Sequence, residues 1–126
     1  MKPLLIIGAS SFGRLLQVLA EETDGEVAGF VDDFNIGDKV IGRTDELGTR
    51  LMPEDFDLVM AIGYRHLDTR MNMFRDLRAA GFRFPTLVHP TARISPRASV
   101  GTGCLVMANA DIDSFTLIGN ACVVWP

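Results

Sequence analysis

Residues 88–123, VHPTAR-ISPRAS-VGTGCL-VMANAD-IDSFTL-IGNACV, divide into six hexads without a slip, and Val124 begins a seventh. The first position of every hexad is Val or Ile, and the fifth is always Ala, Cys or Thr. This six-residue period is typical of a β-helix, in which each hexad forms one flat face of a triangular coil. Ordinary short strands with turns would not keep one register over this length. The stretch therefore predicts two coils with the β-branched side chains inside.

The two cysteines occupy the same position in successive coils. Three hexads complete one coil, so Cys104 and Cys122 are expected to stack in one inward ladder. The ~4.8 Å spacing of adjacent strands lies within the Cα separation that a disulfide tolerates. We nevertheless expect two small buried thiols, as is usual in the cytoplasm. Two cysteines without a CxxC pair also argue against a disulfide scaffold and against a zinc site.

The first eighty residues have the pattern of a small parallel α/β unit. Apolar runs typical of strands buried on both faces occupy residues 4–7, 26–31 and 57–62. Gly81 fits the position that follows a helix. The predicted fold class is α/β: a small Rossmann-like parallel sheet over residues 1–86, then the start of a left-handed β-helix over residues 87–126. Apolar residues at helical spacing predict two helices: Phe12, Leu15, Leu16 and Leu19 in the first, and Leu67, Met71, Phe74 and Leu77 in the second.

The turn after the first strand keeps the outer glycines of the dinucleotide fingerprint but has Ser10 at the middle position. Amides at the following helix N-terminus attract a phosphate. Because Ser10 hinders the flat approach of a pyrophosphate, we favour a nucleotide ligand over NAD. A plain strand-to-helix turn without a ligand remains the alternative. The predicted binding residues of this turn are Gly8, Ala9, Ser10, Phe12 and Gly13.

Two further segments follow predicted strands at the same carboxyl edge of the sheet, where ligands of open α/β sheets bind. Asp32 and Asp33 end the second strand and are placed to accept hydrogen bonds from a ribose or a base; otherwise they only begin a polar turn. Gly63, Tyr64 and Arg65 follow the third strand. Tyr64 is suited to stack on a base and Arg65 to meet a phosphate, although both also fit a solvated loop.

Composition narrows the class of protein. The net charge of −4 argues against a nucleic-acid partner, which requires a basic face. No apolar run approaches the ~20 residues of a membrane helix. We therefore expect a cytoplasmic protein without membrane insertion. His66 has no partner nearby in sequence and is expected at the surface or at a helix start, and we predict no metal site.

Four motifs in order, GASSFG (8–13), GFVDD (29–33), AIG (61–63) and VHPTARI (88–94), carry a family resemblance over essentially the whole chain. The chain resembles the bacterial sugar O- and N-acyltransferases that acetylate sialic acid or UDP-4-amino-sugars. In such enzymes the N-terminal domain holds the nucleotide-sugar, and the β-helix forms a homotrimer that binds the co-substrate acetyl-CoA between neighbouring coils.

The resemblance also implies a histidine on a later coil as general base and a backbone amide that stabilises the oxyanion. That histidine is expected beyond Pro126, whereas His89 marks the junction between the two parts. We therefore predict no catalytic residue within the chain and no tightly bound coenzyme. The expectation is a shortened form that carries the acceptor-binding part.

Two other classes compete with this interpretation. One is a non-catalytic module that binds a nucleotide and trimerises, which an immediate stop after Pro126 would favour and further hexads with a histidine would oppose. The other is a nicotinamide-dependent oxidoreductase, which Ser10 and the missing substrate domain weaken. A carbonic-anhydrase type of hexapeptide protein is excluded, because two histidines at this spacing do not supply its zinc ligands.

Overall fold

The computed structural model describes all residues from Met1 to Pro126. Its first part is a four-stranded parallel sheet in the order β3-β2-β1-β4. Short 3-10 turns lie at Thr44–Glu46 and Tyr64–His66. The elements are β1 (Leu4–Ile7), α1 (Ser11–Glu22), β2 (Val27–Val31), β3 (Val40–Gly42), β4 (Asp57–Met60) and α2 (Leu67–Ala79).

The predicted strands and helices are all present, with differences at their ends. The second strand begins at Val27 rather than residue 26, and β4 ends at Met60 rather than residue 62. The edge strand β3 was not predicted, because two apolar residues followed by a glycine are too short a run to indicate a strand. Leu15, predicted on the buried face of α1, is 42% exposed, so this part of the stripe was wrong.

The end of α2 confirms the role predicted for Gly81. Its φ of 100° is left-handed, a conformation that glycine adopts without steric cost. The Gly81 amide donates to the Arg78 carbonyl and the Phe82 amide donates to the Leu77 carbonyl. This pair of bonds is the Schellman arrangement, which satisfies the last carbonyls of a helix.

The hexads form seven two-residue strands in three parallel sheets, and each strand pairs with the one three hexads away. Leu105 pairs with both Leu87 and Val123, so the eighteen-residue register predicted from the sequence is confirmed. Side chains from the first and fifth hexad positions fill the interior around Val106 and Ile112. The strands are β5 (Leu87–Val88), β6 (Arg93–Ile94), β7 (Ser99–Val100), β8 (Leu105–Val106), β9 (Asp111–Ile112), β10 (Leu117–Ile118) and β11 (Val123–Val124).

The sheet and the coils share their hydrophobic core. Side chains of β1 alternate between its two faces, as strand geometry requires. Leu4 and Ile6 pack with α1 and with Leu87 and Leu105 of the coils. The opposite face packs with α2 and the segment after it, and this cluster includes Ala121. The boundary between two domains at residues 86 and 87 therefore remains a prediction, because apolar contacts join the residues on its two sides.

The stacked cysteines are both free thiols. Cys104 is fully buried, and its Sγ donates to the Gly119 carbonyl at 3.0 Å. Burial raises the pKa of the Cys104 thiol. Cys122, on the last coil, is only half-buried, so the expectation of two buried thiols fits Cys104 better than Cys122. Neither helix is long and apolar enough to cross a lipid bilayer.

Asp57, the first residue of β4, is fully buried, and neither of its carboxylate oxygens has a hydrogen-bond partner. An unpaired buried polar group costs about 1–3 kcal/mol. We expect Asp57→Val to raise the free energy of unfolding by about 1–3 kcal/mol, because valine removes that cost and suits a strand. Urea unfolding measures the change. Asp57→Asn, which has nearly the same size but no carboxylate, is the control. A clear loss of stability in the valine variant would contradict the description of Asp57 as a buried residue without hydrogen-bond partners.

Candidate functional site

The glycine turn, the end of β2 and the segment after β4 meet at the carboxyl edge of the sheet, as predicted. Gly8 has a φ of 110°, and a Cβ on it would lie 3.0 Å from the Ala61 carbonyl oxygen. A Cβ on Gly13 would lie 1.9 Å from the Gly8 carbonyl oxygen. Close packing of α1 on β1 therefore requires glycine at position 13. Ser10 precedes α1 in extended conformation and makes no side-chain capping bond.

Asp32 connects the glycine turn to the loop after β2. Its Oδ2 accepts hydrogen bonds from the Ala9 amide at 2.8 Å and from Asn35 Nδ2 at 3.0 Å. Its Oδ1 accepts the amides of Phe34 and Asn35 at 2.8 and 2.7 Å. Partial burial alone raises the pKa of Asp32, but these hydrogen bonds outweigh it and lower the value to about 2. The Ala9 amide is therefore already hydrogen-bonded to an ionised carboxylate.

Asp33 holds the next segment of the chain. Its carboxylate accepts the Thr44 hydroxyl at 2.6 Å and the Thr44 amide at 2.8 Å, and these hydrogen bonds lower the pKa of Asp33. Both aspartates border a shallow cavity of about 480 Å³ between residues 32–36 and 40–43, with a mixed polar and apolar lining. The bonds make the two aspartates structural links, and their contact with a ligand remains a prediction.

A larger space, here called the apolar cavity, has a volume of about 580 Å³. It lies between the sheet edge, α2 and the last coil. Phe12, Gly63 and Tyr64, all predicted binding residues, line it together with residues 120–123 and Trp125. Leu67 and Met71, predicted in the buried stripe of α2, are 57% and 42% exposed and line this cavity instead. The coil therefore supplies one wall of the site.

Arg70 also lines the apolar cavity and was missed by the sequence analysis. It is only 3% exposed. Its Nη1 donates to the carbonyls of Met60 and Ile62 at 2.9 and 2.6 Å, and its Nη2 donates to Ala121 at 3.0 Å. Burial lowers the pKa of this guanidinium. The sequence did contain a signal for this: Arg70 lies four residues before Phe74, and residues at this spacing share one face of a helix.

Arg65 lies apart from the other predicted residues. It is exposed beside His66 and Asp68 in a shallow polar pocket, and it does not line the apolar cavity. Tyr64 is 78% exposed at the rim, in the short turn before α2. His66 is exposed at the N-cap of α2, as expected for a histidine at a helix start.

His89 joins α1 to the first coil. Its Nε2 bonds to the carboxylate of Glu22, and its Nδ1 lies 2.8 Å from the Thr91 hydroxyl. This position at the junction agrees with the role predicted for His89. No group of three or more His, Cys, Asp or Glu side chains is arranged to hold a metal ion.

A sequence model of the PglD N-terminal domain family matches residues 3–77. The chain belongs to that family. No curated protein sequence matches it. Among solved structures, it is 32% identical to the acetyltransferase domain of PglB from Neisseria gonorrhoeae, with a TM-score of 0.82 over 98% of this chain and 62% of that one. It is 27% identical to PerB from Caulobacter crescentus in complex with CoA and GDP-perosamine, with a TM-score of 0.84 over 98% of this chain and 59% of that one.

These similarities confirm the predicted resemblance to sugar acetyltransferases and the predicted fold class. The PglB acetyltransferase domain has also been solved in complex with acetyl coenzyme A, with 32% identity and a TM-score of 0.78 over 97% of this chain and 60% of that one. The chain spans about 60% of the length of the solved relatives.

Proposed function

We propose that the chain carries the acceptor-binding part of an acetyl-CoA-dependent acetyltransferase, which acts on an amino or hydroxyl group of a nucleotide-linked sugar. The observation that carries the proposal is the match over 98% of the chain to PerB bound to CoA and GDP-perosamine. The family match over residues 3–77 supports it independently. In its working form we expect a cytoplasmic homotrimer that binds acetyl-CoA between coils.

The proposed nucleotide-sugar site extends along the carboxyl edge of the sheet. Phe12, Gly63 and Tyr64 share the apolar cavity, which suits a base or sugar ring. The helix N-terminus after Ser10 offers amides to a phosphate. Because Asp32 already occupies the Ala9 amide, we place the phosphate nearer the amides of Ser11, Phe12 and Gly13.

We expect no general base within the chain. Its two histidines are His66 and His89. Neither lines the apolar cavity, and His89 is engaged by Glu22 and Thr91. A general base must lie within hydrogen-bond reach of the proton that it removes. Acetyl transfer by these 126 residues alone should therefore stay near background.

Isothermal titration with UDP- and GDP-sugars tests the binding role. We expect saturable heat with at least one of them. Tyr64→Ala should weaken that binding roughly twofold to twelvefold, since one aromatic contact contributes about 0.5–1.5 kcal/mol. Val18→Ala removes an exposed apolar side chain from α1, outside the apolar cavity, and should leave the affinity unchanged.

Absence of heat with every nucleotide-sugar would contradict the proposed function. An acetyl-CoA assay on the same protein provides a second readout. Robust turnover would contradict the absence of a general base, without affecting the binding proposal.

The second candidate is a nucleotide-binding module whose coils only assemble. Phe115 and Leu117 favour it, because these apolar coil residues are 76% and 82% exposed and suit an interface between copies. Sedimentation as a trimer, with nucleotide-sugar binding but no transfer by a form that contains further hexads, would favour the module over the enzyme.

A further inference from the structure

Arg70 is the only charged residue that lines the apolar cavity. All its hydrogen bonds go to neutral main-chain carbonyls of Met60, Ile62 and Ala121. No carboxylate lies within ion-pair distance of it. The guanidinium is therefore hydrogen-bonded but carries a charge that the chain does not neutralise.

A buried charge without a counter-ion is costly, because it has lost water and gained no opposite charge. Arginine stays protonated under such conditions, since its intrinsic pKa is very high. Of its five N–H donors, the four described bonds leave one on Nη2 free. Because the guanidinium itself is only 3% exposed, water screens its attraction to an incoming anion less than it screens a charge at the surface.

The other walls of the cavity are largely apolar. The aromatic side chains of Phe12, Tyr64 and Trp125 face it, together with Leu67 and Met71 of α2. No acidic side chain is among its lining residues, so an anion would meet no repulsion there. One cation in a largely apolar cavity that is open on one side matches a ligand with an apolar body and one negative group.

We propose that the apolar cavity binds an amphipathic monoanion, an aromatic or branched aliphatic body that carries one carboxylate, with the carboxylate on Arg70. The site shares Phe12, Gly63 and Tyr64 with the proposed nucleotide-sugar site. It does not depend on that proposal, because it rests on the uncompensated charge of Arg70. A nucleotide-sugar and such an anion would compete for the shared wall.

Trp125 is the single tryptophan of the chain and lines the cavity, so its fluorescence reports binding there. The probes are phenylbutyrate and phenylbutyramide, which have nearly the same shape and differ in charge. We expect both to change the Trp125 emission, with the acid binding on the order of tenfold more tightly, because a charge-assisted hydrogen bond forms only with the carboxylate.

Variants of α2 assign the preference to Arg70. Met71→Glu places a carboxylate of the chain itself in the cavity and should abolish the preference for the acid, whereas Met71→Gln should keep it. Met71 is 42% exposed and both replacements favour a helix, so both variants should fold. Arg70→Met should equalise the two ligands, and circular dichroism shows whether that variant is folded.

Equal affinity for acid and amide in the unmodified chain would overturn the proposal, as would an acid preference that survives Met71→Glu. No saturable change with either probe would also overturn it. These outcomes leave the nucleotide-sugar titration unaffected, so the two proposals fail separately. If Arg70→Met does not fold, the comparison of Met71→Glu with Met71→Gln still tests the proposal.

Discussion

Gly13→Ala is expected to lower the free energy of unfolding by about 3 kcal/mol or more. Its Cβ would lie 1.9 Å from the Gly8 carbonyl oxygen, which belongs to the backbone and cannot rotate away. Alanine is the better helix former, but that preference contributes only about 1 kcal/mol. The steric overlap therefore dominates, and α1 must move away from β1. Urea unfolding measures the loss.

Gly119→Ala is the matched control for this change. A Cβ on Gly119 meets nothing within 4 Å, and the same atom is added to the chain. We expect little change in stability there. A Gly13→Ala protein as stable as the unmodified chain would contradict the close packing of α1 against β1.

Asp32→Ala is expected to have the second large effect, a loss of about 2 kcal/mol or more, because hydrogen bonds to an ionised group contribute more than neutral ones. The variant removes four hydrogen bonds; three of their donors are exposed to water, but the Ala9 amide is partly buried and loses its partner. The glycine turn and the loop after β2 then lose their direct connection. Asp38→Ala, at an exposed carboxylate in the same loop, is the control.

The Asp32 contribution also depends on pH. Because the pKa falls from 3.8 to about 2 on folding, the stabilisation is complete above about pH 4 and is lost as the pH falls towards 2. Unfolding measured across this range should show a shallower acid dependence in Asp32→Ala than in Asp38→Ala. Identical acid dependence in the two variants would contradict the hydrogen-bonded role of Asp32.

Much of the candidate site was accessible from sequence, because residues that follow parallel strands gather at one edge of the sheet. That rule brought Phe12, Gly63 and Tyr64 to one cavity. The same rule also predicted Arg65 in this site, but Arg65 lines a separate shallow pocket in the turn before α2. It also did not show that Asp32 and Asp33 are already engaged by neighbouring amides and hydroxyls.

The hexads by themselves determined the coil and its eighteen-residue register, because a repeated local pattern of β-branched and small residues permits one way of stacking. Only the tertiary structure showed which residues line the apolar cavity and that one of them, Arg70, is charged. Arg70 reaches Ala121 across 51 positions of the chain, and Asp32 reaches Ala9 across 23. Such contacts depend on how the last coil packs against α2 and on where two loops meet. No local pattern encodes those distances.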